Sequence, residues 1–176
     1  MKEVIHVMYS EKEIQHRIEE LAGQINEKYQ GRPLHLICIL KGSVFFLCEL
    51  AKLLTMPVSF DFMVVSSYGN QTVGSGDIKI KKDLEESIQG LDCLVVEDII
   101  DTGNTFFALR PMLLERKPKS LCLCTLLDKP GRREVDITVD YTGFVIPDEF
   151  VVGYGMDYAQ KYRNLPYIGR LEFLEE

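Results

Sequence analysis

The stretch LVVEDIIDTGNTF, Leu94 to Phe106, runs three apolar residues into three acids, Glu97, Asp98 and Asp101, and then into Thr102-Gly103-Asn104-Thr105. With Asp92 and Cys93 ahead of it, the apolar half reads as a buried strand. If that strand ends near Glu97 and a helix begins near Thr105, DTGNT is a strand-to-helix turn. Its N–H groups and threonine hydroxyls then converge at the positive end of a helix dipole, as in a phosphate cradle. The acids are harder to explain structurally, because like charges ~4 Å apart repel by about 4 kcal/mol at an effective dielectric near 20. Such crowding calls for a cation, a polyhydroxyl ligand or a proton-transfer task. The plainer alternative is a solvated acidic turn in which Asp101 caps the helix.

To the N-terminal side, Ser10 with Glu13 makes a capping box ahead of Ile14, Ile18, Leu21 and Ile25, which predicts an amphipathic helix ending near Gly31. LHLICIL (34–40) is a continuous apolar run, the mark of a strand covered on both faces. KGS breaks it, and VFFLCELAKLL resumes with helical spacing. PVSFDFMVVSSY reads as a strand, SSYGNQTVGSGD as a long loop of the kind that serves as a lid, and IKIKK as a short exposed strand. To the C-terminal side, NTFFALRPMLLERK is a helix that Pro111 should kink or break. SLCLCTLL, DITVDYTGF and FVVGYG are predicted strands. Strands alternating with helices imply an α/β fold with a mostly parallel central sheet, and ligands in such sheets bind beyond the strands' carboxyl ends.

The chain has 176 residues, 27% of them charged, and a net charge of −7. That balance argues against a general nucleic-acid binder, since affinity for phosphate backbones comes from Lys and Arg. Five cysteines without a C-x-x-C spacing, and three histidines without metal-ligand spacing, predict reduced, buried thiols in a reducing compartment. The N-terminus shows no signal-peptide pattern, and no apolar run approaches the ~20 residues of a membrane span. A cytoplasmic protein with no membrane partner is expected, folded as one domain over 1–176.

VVEDIIDTGNT resembles the phosphoribosyl pyrophosphate (PRPP) signature of the type I phosphoribosyltransferases. Within that superfamily the chain resembles the hypoxanthine, or hypoxanthine–guanine, enzymes. The resemblance runs from about Tyr9 to Leu165 and rests on LKGS, SSYG, the signature, LLDKP and FVVGYGMDY…YRNLP in family order. It implies the type I fold, with a core of about 10–165, a small hood formed from the terminal segments and a flexible active-site loop of about 66–77. The implied activity is transfer of the 5-phosphoribosyl group from PRPP to N9 of hypoxanthine and guanine. The products would be IMP or GMP and pyrophosphate, with Mg²⁺ as cofactor and a homodimer or homotetramer as the assembly.

Residue by residue, the resemblance assigns Glu97 and Asp98 to the ribose hydroxyls. Asp101 becomes the general base near purine N7, and Asp101, Thr102, Gly103, Asn104 and Thr105 wrap the 5′-phosphate. Lys41 and Gly42 of LKGS, by themselves an ordinary turn, would contact pyrophosphate, often after a non-proline cis peptide. Arg163 would reach the same group. Ser67 and Tyr68 would close over PRPP. Lys129, which alone could be a surface lysine, would donate to the 6-oxygen of the base and so disfavour a 6-amino group. Phe150 would stack on the purine, the Val151 backbone would bond its edge, and Met156 and Asp157 would line the same pocket. Asp157, with Glu97 and Asp98, would hold Mg²⁺.

Three other readings compete. A regulator that keeps this fold but binds nucleic acid would suit neither the acidic charge nor the full motif set. A metal-dependent diphosphate enzyme with an acidic E-D-x-x-D cluster would need a second acidic cluster facing the first. A phosphoribosyltransferase for adenine, orotate or uracil fits poorly with Lys129 and Phe150. Hypoxanthine preference against balanced hypoxanthine and guanine use stays open.

Overall fold

The computed structural model describes residues 2–67 and 78–174. Lys2–Tyr9 form β1, Glu11–Lys28 α1, Leu34–Leu40 β2, Val44–Leu53 α2, Val58–Ser67 β3 and Ile78–Lys82 β4. Asp92–Ile100 form β5, Asn104–Glu115 α3, Ser120–Asp128 β6, Tyr141–Val145 β7, Val151–Val152 β8 and Ile168–Leu174 β9. The loop expected at 66–77, with Tyr68, falls largely outside the described residues.

The larger sheet has the order β4-β3-β2-β5-β6-β7, parallel except for β4, which pairs antiparallel to β3. Alternation along β5 explains the continuous apolar run. Leu94 and Val96 join a core with α1 and α2, while Cys93 and Val95 join a second core with Phe106, Leu109 and Leu113 of α3. Helices thus cover both faces, as a parallel sheet requires. At the start of α1, Glu13 N–H donates to Ser10 Oγ and Ser10 N–H to Glu13 Oε2 (3.3 and 2.8 Å), completing the predicted box.

Register is what assembles a site. β2, β5 and β6 start level, Leu34 opposite Asp92 and Asp92 opposite Ser120, and Ile100 ends β5 opposite Asp128 of β6. Lys41, Asp101 and Lys129 therefore emerge side by side at the carboxyl ends of adjacent strands.

Several expectations need correcting. β5 runs to Ile100 rather than ending near Glu97, whereas α3 starts at Asn104, where the NTFF stretch placed it. DITVDYTGF contributes a strand only from Tyr141. At its entry the Asp140 carboxylate accepts Leu123 N–H (2.8 Å), so a side chain stands where the ladder would continue. FVVGYG yields just Val151–Val152, because Gly153, Tyr154 and Gly155 all have positive φ (94°, 48° and 97°) and turn the chain away. Pro111 does not break α3, which is continuous through it. Cys48 is exposed on α2, whereas the other four cysteines are buried and all five are free.

The terminal segments, expected to form a hood, pair as β1 with β9 antiparallel, and β8 joins them in a second sheet, β1-β9-β8. Among the described residues no helix is long and apolar enough to cross a membrane.

Candidate active site

Glu97 is 7% exposed, and its carboxyl is pushed well above the usual carboxylate range by burial and by the charge of Asp98. Burial likewise raises Asp98, to about 6, against the lowering effect of its Ile99 N–H bond and of Arg163, with Asp157 adding to the rise. Among the described residues Asp98 accepts Ile99 N–H (2.9 Å) and no side-chain donor reaches Glu97, so hydroxyls or a cation would relieve two adjacent carboxyls held this way. They open into a cleft with Asp101, Thr102, Gly103 and Thr105.

Gly103 (φ 86°) is the N-cap of α3 and has no side chain to cap it, while the Asn104 N–H donates weakly to Thr102 Oγ1 (3.4 Å). The first-turn N–H groups of α3 therefore face the cleft beside the acids, an anion site by geometry and dipole. The turn is held from behind by residues that sequence reasoning passed over. Arg133 donates to the Asp101 carbonyl (2.8 Å) and to the Asp128 carboxylate, Glu134 N–H to Thr102 O (3.0 Å), and Asn104 Nδ2 to Glu134 (2.7 Å). The two arginines one residue beyond LLDKP, after Gly131, were the available signal.

Lys129 is buried, not a surface lysine, with Nζ 3.8 Å from Asp101 and 3.7 Å from Asp148. Arg132 bridges the same two carboxylates, 3.1 Å to Asp101 and 3.5 Å to Asp148. Asp148 and Arg132 thus belong to the mouth of the site. Phe150 is 51% exposed, while Val151 and Met156 are buried. Its ring is met edge-on by Tyr158 (5.8 Å), which Phe173 of β9 backs at 5.1 Å. Phe150 is therefore an open aromatic face on a braced support.

The peptide between Leu40 and Lys41 is cis, and Lys41 is exposed. Gly42 leaves room for Asp98, since a Cβ there would overlap Asp98 Oδ2. A Cβ on Gly155 would in turn overlap the Gly42 carbonyl. The LKGS turn, the acid pair and the turn after β8 are stacked without side chains between them.

Arg163 pairs with Asp157 (2.7 Å) and donates to the Gly155 carbonyl (2.7 Å), and its buried Nε has no partner among the described residues. Glu97, Asp98 and Asp157 are not gathered into a preformed metal cage, for among the described residues no three such side chains converge. Ser67 ends β3, and Tyr68 is not described.

Residues 8–159 match the family model of the phosphoribosyl transferase domain. The hypoxanthine phosphoribosyltransferase of Salmonella typhimurium is 53% identical over 178 residues, covering all of both chains, and that of Escherichia coli K12 is 52% identical over the same span. The crystal structure of a hypoxanthine-guanine phosphoribosyltransferase from Bacillus anthracis superposes with a TM-score of 0.91 at 48% identity, covering 94% of this chain and 97% of that one. A shared signature, a shared fold and near-complete coverage make the chain a member of the phosphoribosyltransferase family, among its hypoxanthine phosphoribosyltransferases.

Proposed function

We propose that this chain is a purine salvage enzyme that transfers the 5-phosphoribosyl group from PRPP to N9 of hypoxanthine, and also of guanine, releasing pyrophosphate with IMP or GMP. The observation that carries the reading is the buried Glu97–Asp98 pair set against the glycine-capped N-terminus of α3, with the buried Lys129 beside Asp101.

The acid pair accepts the ribose 2′- and 3′-hydroxyls, an exchange that returns donors to carboxyls short of them. The turn from Asp101 to Thr105 binds the 5′-phosphate. The purine lies on Phe150 with its edge on the Val151 backbone and Met156 beside it, and Lys129 donates to the 6-oxygen. Asp101 takes the proton that the base loses at N7 as N9 attacks C1′. Lys41, the Gly42 backbone and Arg163 meet the departing pyrophosphate with charge already in position. Ser67 and Tyr68 close over PRPP and exclude water.

Mg²⁺ fits this donor set, which offers hard carboxylate oxygens on Asp157, Glu97 and Asp98 but no complete cage. One or two carboxylates with diphosphate oxygens is the usual arrangement for this ion. When bound it neutralises charge on the leaving diphosphate. We propose a cytoplasmic homodimer or homotetramer, organised as a single domain whose hood is the β1-β9-β8 sheet.

Pyrophosphate release with PRPP and Mg²⁺, offered hypoxanthine, guanine, xanthine and adenine separately, tests the reading. Turnover with 6-oxopurines and none with adenine is expected. Release with adenine alone, or with no base, refutes it.

A further inference from the structure

The turn between Asp157 and Arg163 keeps three non-glycine residues in the left-handed region, Ala159 (φ 49°), Gln160 (67°) and Tyr162 (76°). Such residues persist only where their surroundings hold them. Part of the hold is internal. Asp157 Oδ2 accepts Gln160 N–H (2.8 Å), and Tyr158 and Lys161 exchange backbone bonds (3.2 and 2.9 Å).

The rest comes from the far end of the chain. Glu3 of β1 accepts the Tyr162 hydroxyl, and Lys161 Nζ lies 3.3 Å from its carboxylate. The Tyr162 hydroxyl, against the opposing desolvation and with help from Lys161, holds the Glu3 carboxyl below its ordinary range, while Glu3 raises Tyr162. Two donors therefore share one acceptor on consecutive residues of the turn. The next residue is Arg163, whose guanidinium reaches Asp157 and the Gly155 carbonyl.

We infer that Glu3 is a positioning residue for the diphosphate end of the site, anchoring Lys161 and Tyr162 so that Arg163 and Asp157 keep their places. This rests on the reading above that Arg163 and Asp157 serve the diphosphate. Glu3 touches no substrate in this scheme, so its loss acts first on the diphosphate end and reaches the purine subsite only indirectly, through Tyr158, which the same turn holds against Phe150.

The test uses the full chain with Tyr162→Phe, Glu3→Ala and the double variant, assayed in both directions. KM for PRPP and, in reverse, for pyrophosphate should rise roughly five- to tenfold, the scale of an ordinary lost hydrogen bond. KM for hypoxanthine should rise clearly less than either, and the double variant should be no worse than the worse single. A second arm needs neither metal nor substrate. Trypsin should cut after Lys161 and Arg163 faster in Tyr162→Phe than in the parent.

Unchanged KM for PRPP and pyrophosphate together with unchanged cleavage overturns the inference, and so does an equal rise for every substrate. If Glu3→Ala does not fold, Tyr162→Phe decides alone, because it removes one hydroxyl and leaves β1 intact. A parent enzyme without transfer activity would sink the proposed function instead, and the cleavage arm would still judge the anchor.

Discussion

Asp101 meets Lys129 and Arg132 through its side chain, while its carbonyl is tied by Arg133. Asp101→Asn keeps the carbonyl bond and the side-chain volume, so the protein should fold normally. Turnover should fall about 100-fold or more, the usual contribution of a positioned base, as read by steady-state pyrophosphate release beside an unchanged melting curve. Gly42 is a different case, because its importance is space. Gly42→Ala must displace the Asp98 carboxylate, so calorimetry should find PRPP binding lost while Phe150 and Lys129 are untouched. At this level much was legible. The acids stand in a local motif whose chemistry is written in residue type, whereas Lys129 and Phe150 were singled out by the family resemblance alone. Arg132, Arg133, Asp148 and the Gly42–Gly155 contact were not, because each acquires its role from a neighbour brought close only by folding.

Among the secondary-structure elements, β3 shows how a buried charge can be stabilised. Asp61 is 6% exposed, a setting that disfavours its charge, yet bonds from the N–H groups of Glu85, Phe62 and Glu86, with Lys82 at 3.6 Å, outweigh burial and lower its pKa below 3.8. Because the folded value is depressed, this stabilisation is full above the unfolded value and is lost as pH falls through the folded one. Asp61→Ala should therefore cost about 1–3 kcal/mol at pH 7. The deficit should shrink below about pH 4, near the unfolded value, as urea melts across that range would read. The strands and helices of the parallel sheet were legible because burial on both faces leaves an unbroken apolar run. DITVD misled because its alternation matches a strand, while at Asp140 the Leu123 N–H goes to the side-chain carboxylate and the Asp140 N–H alone bonds back to Leu123 O.

Taken together, the two sheets divide the labour: the parallel one presents the phosphate turn and acids, and the terminal one braces Phe150 and the Arg163 turn. No local pattern reveals β1 paired with β9, for Lys2 meets Leu174 and Glu3 meets Phe173 from opposite ends of the chain. Deleting residues 1–9 should expose the edge of β9 to solvent. Light scattering should then show association on warming, and purine affinity should fall as Phe173 loses its support. The same pairing has a consequence for engineering. Since Lys2 and Leu174 are direct cross-strand partners, their Cα atoms stand about 5 Å apart, and a linker of a few residues would splice the ends together. New termini opened at the exposed turn by Gly31, at the opposite end of β2 from LKGS, would give a circular permutant that starts at β2, finishes with α1 and leaves every catalytic contact in place.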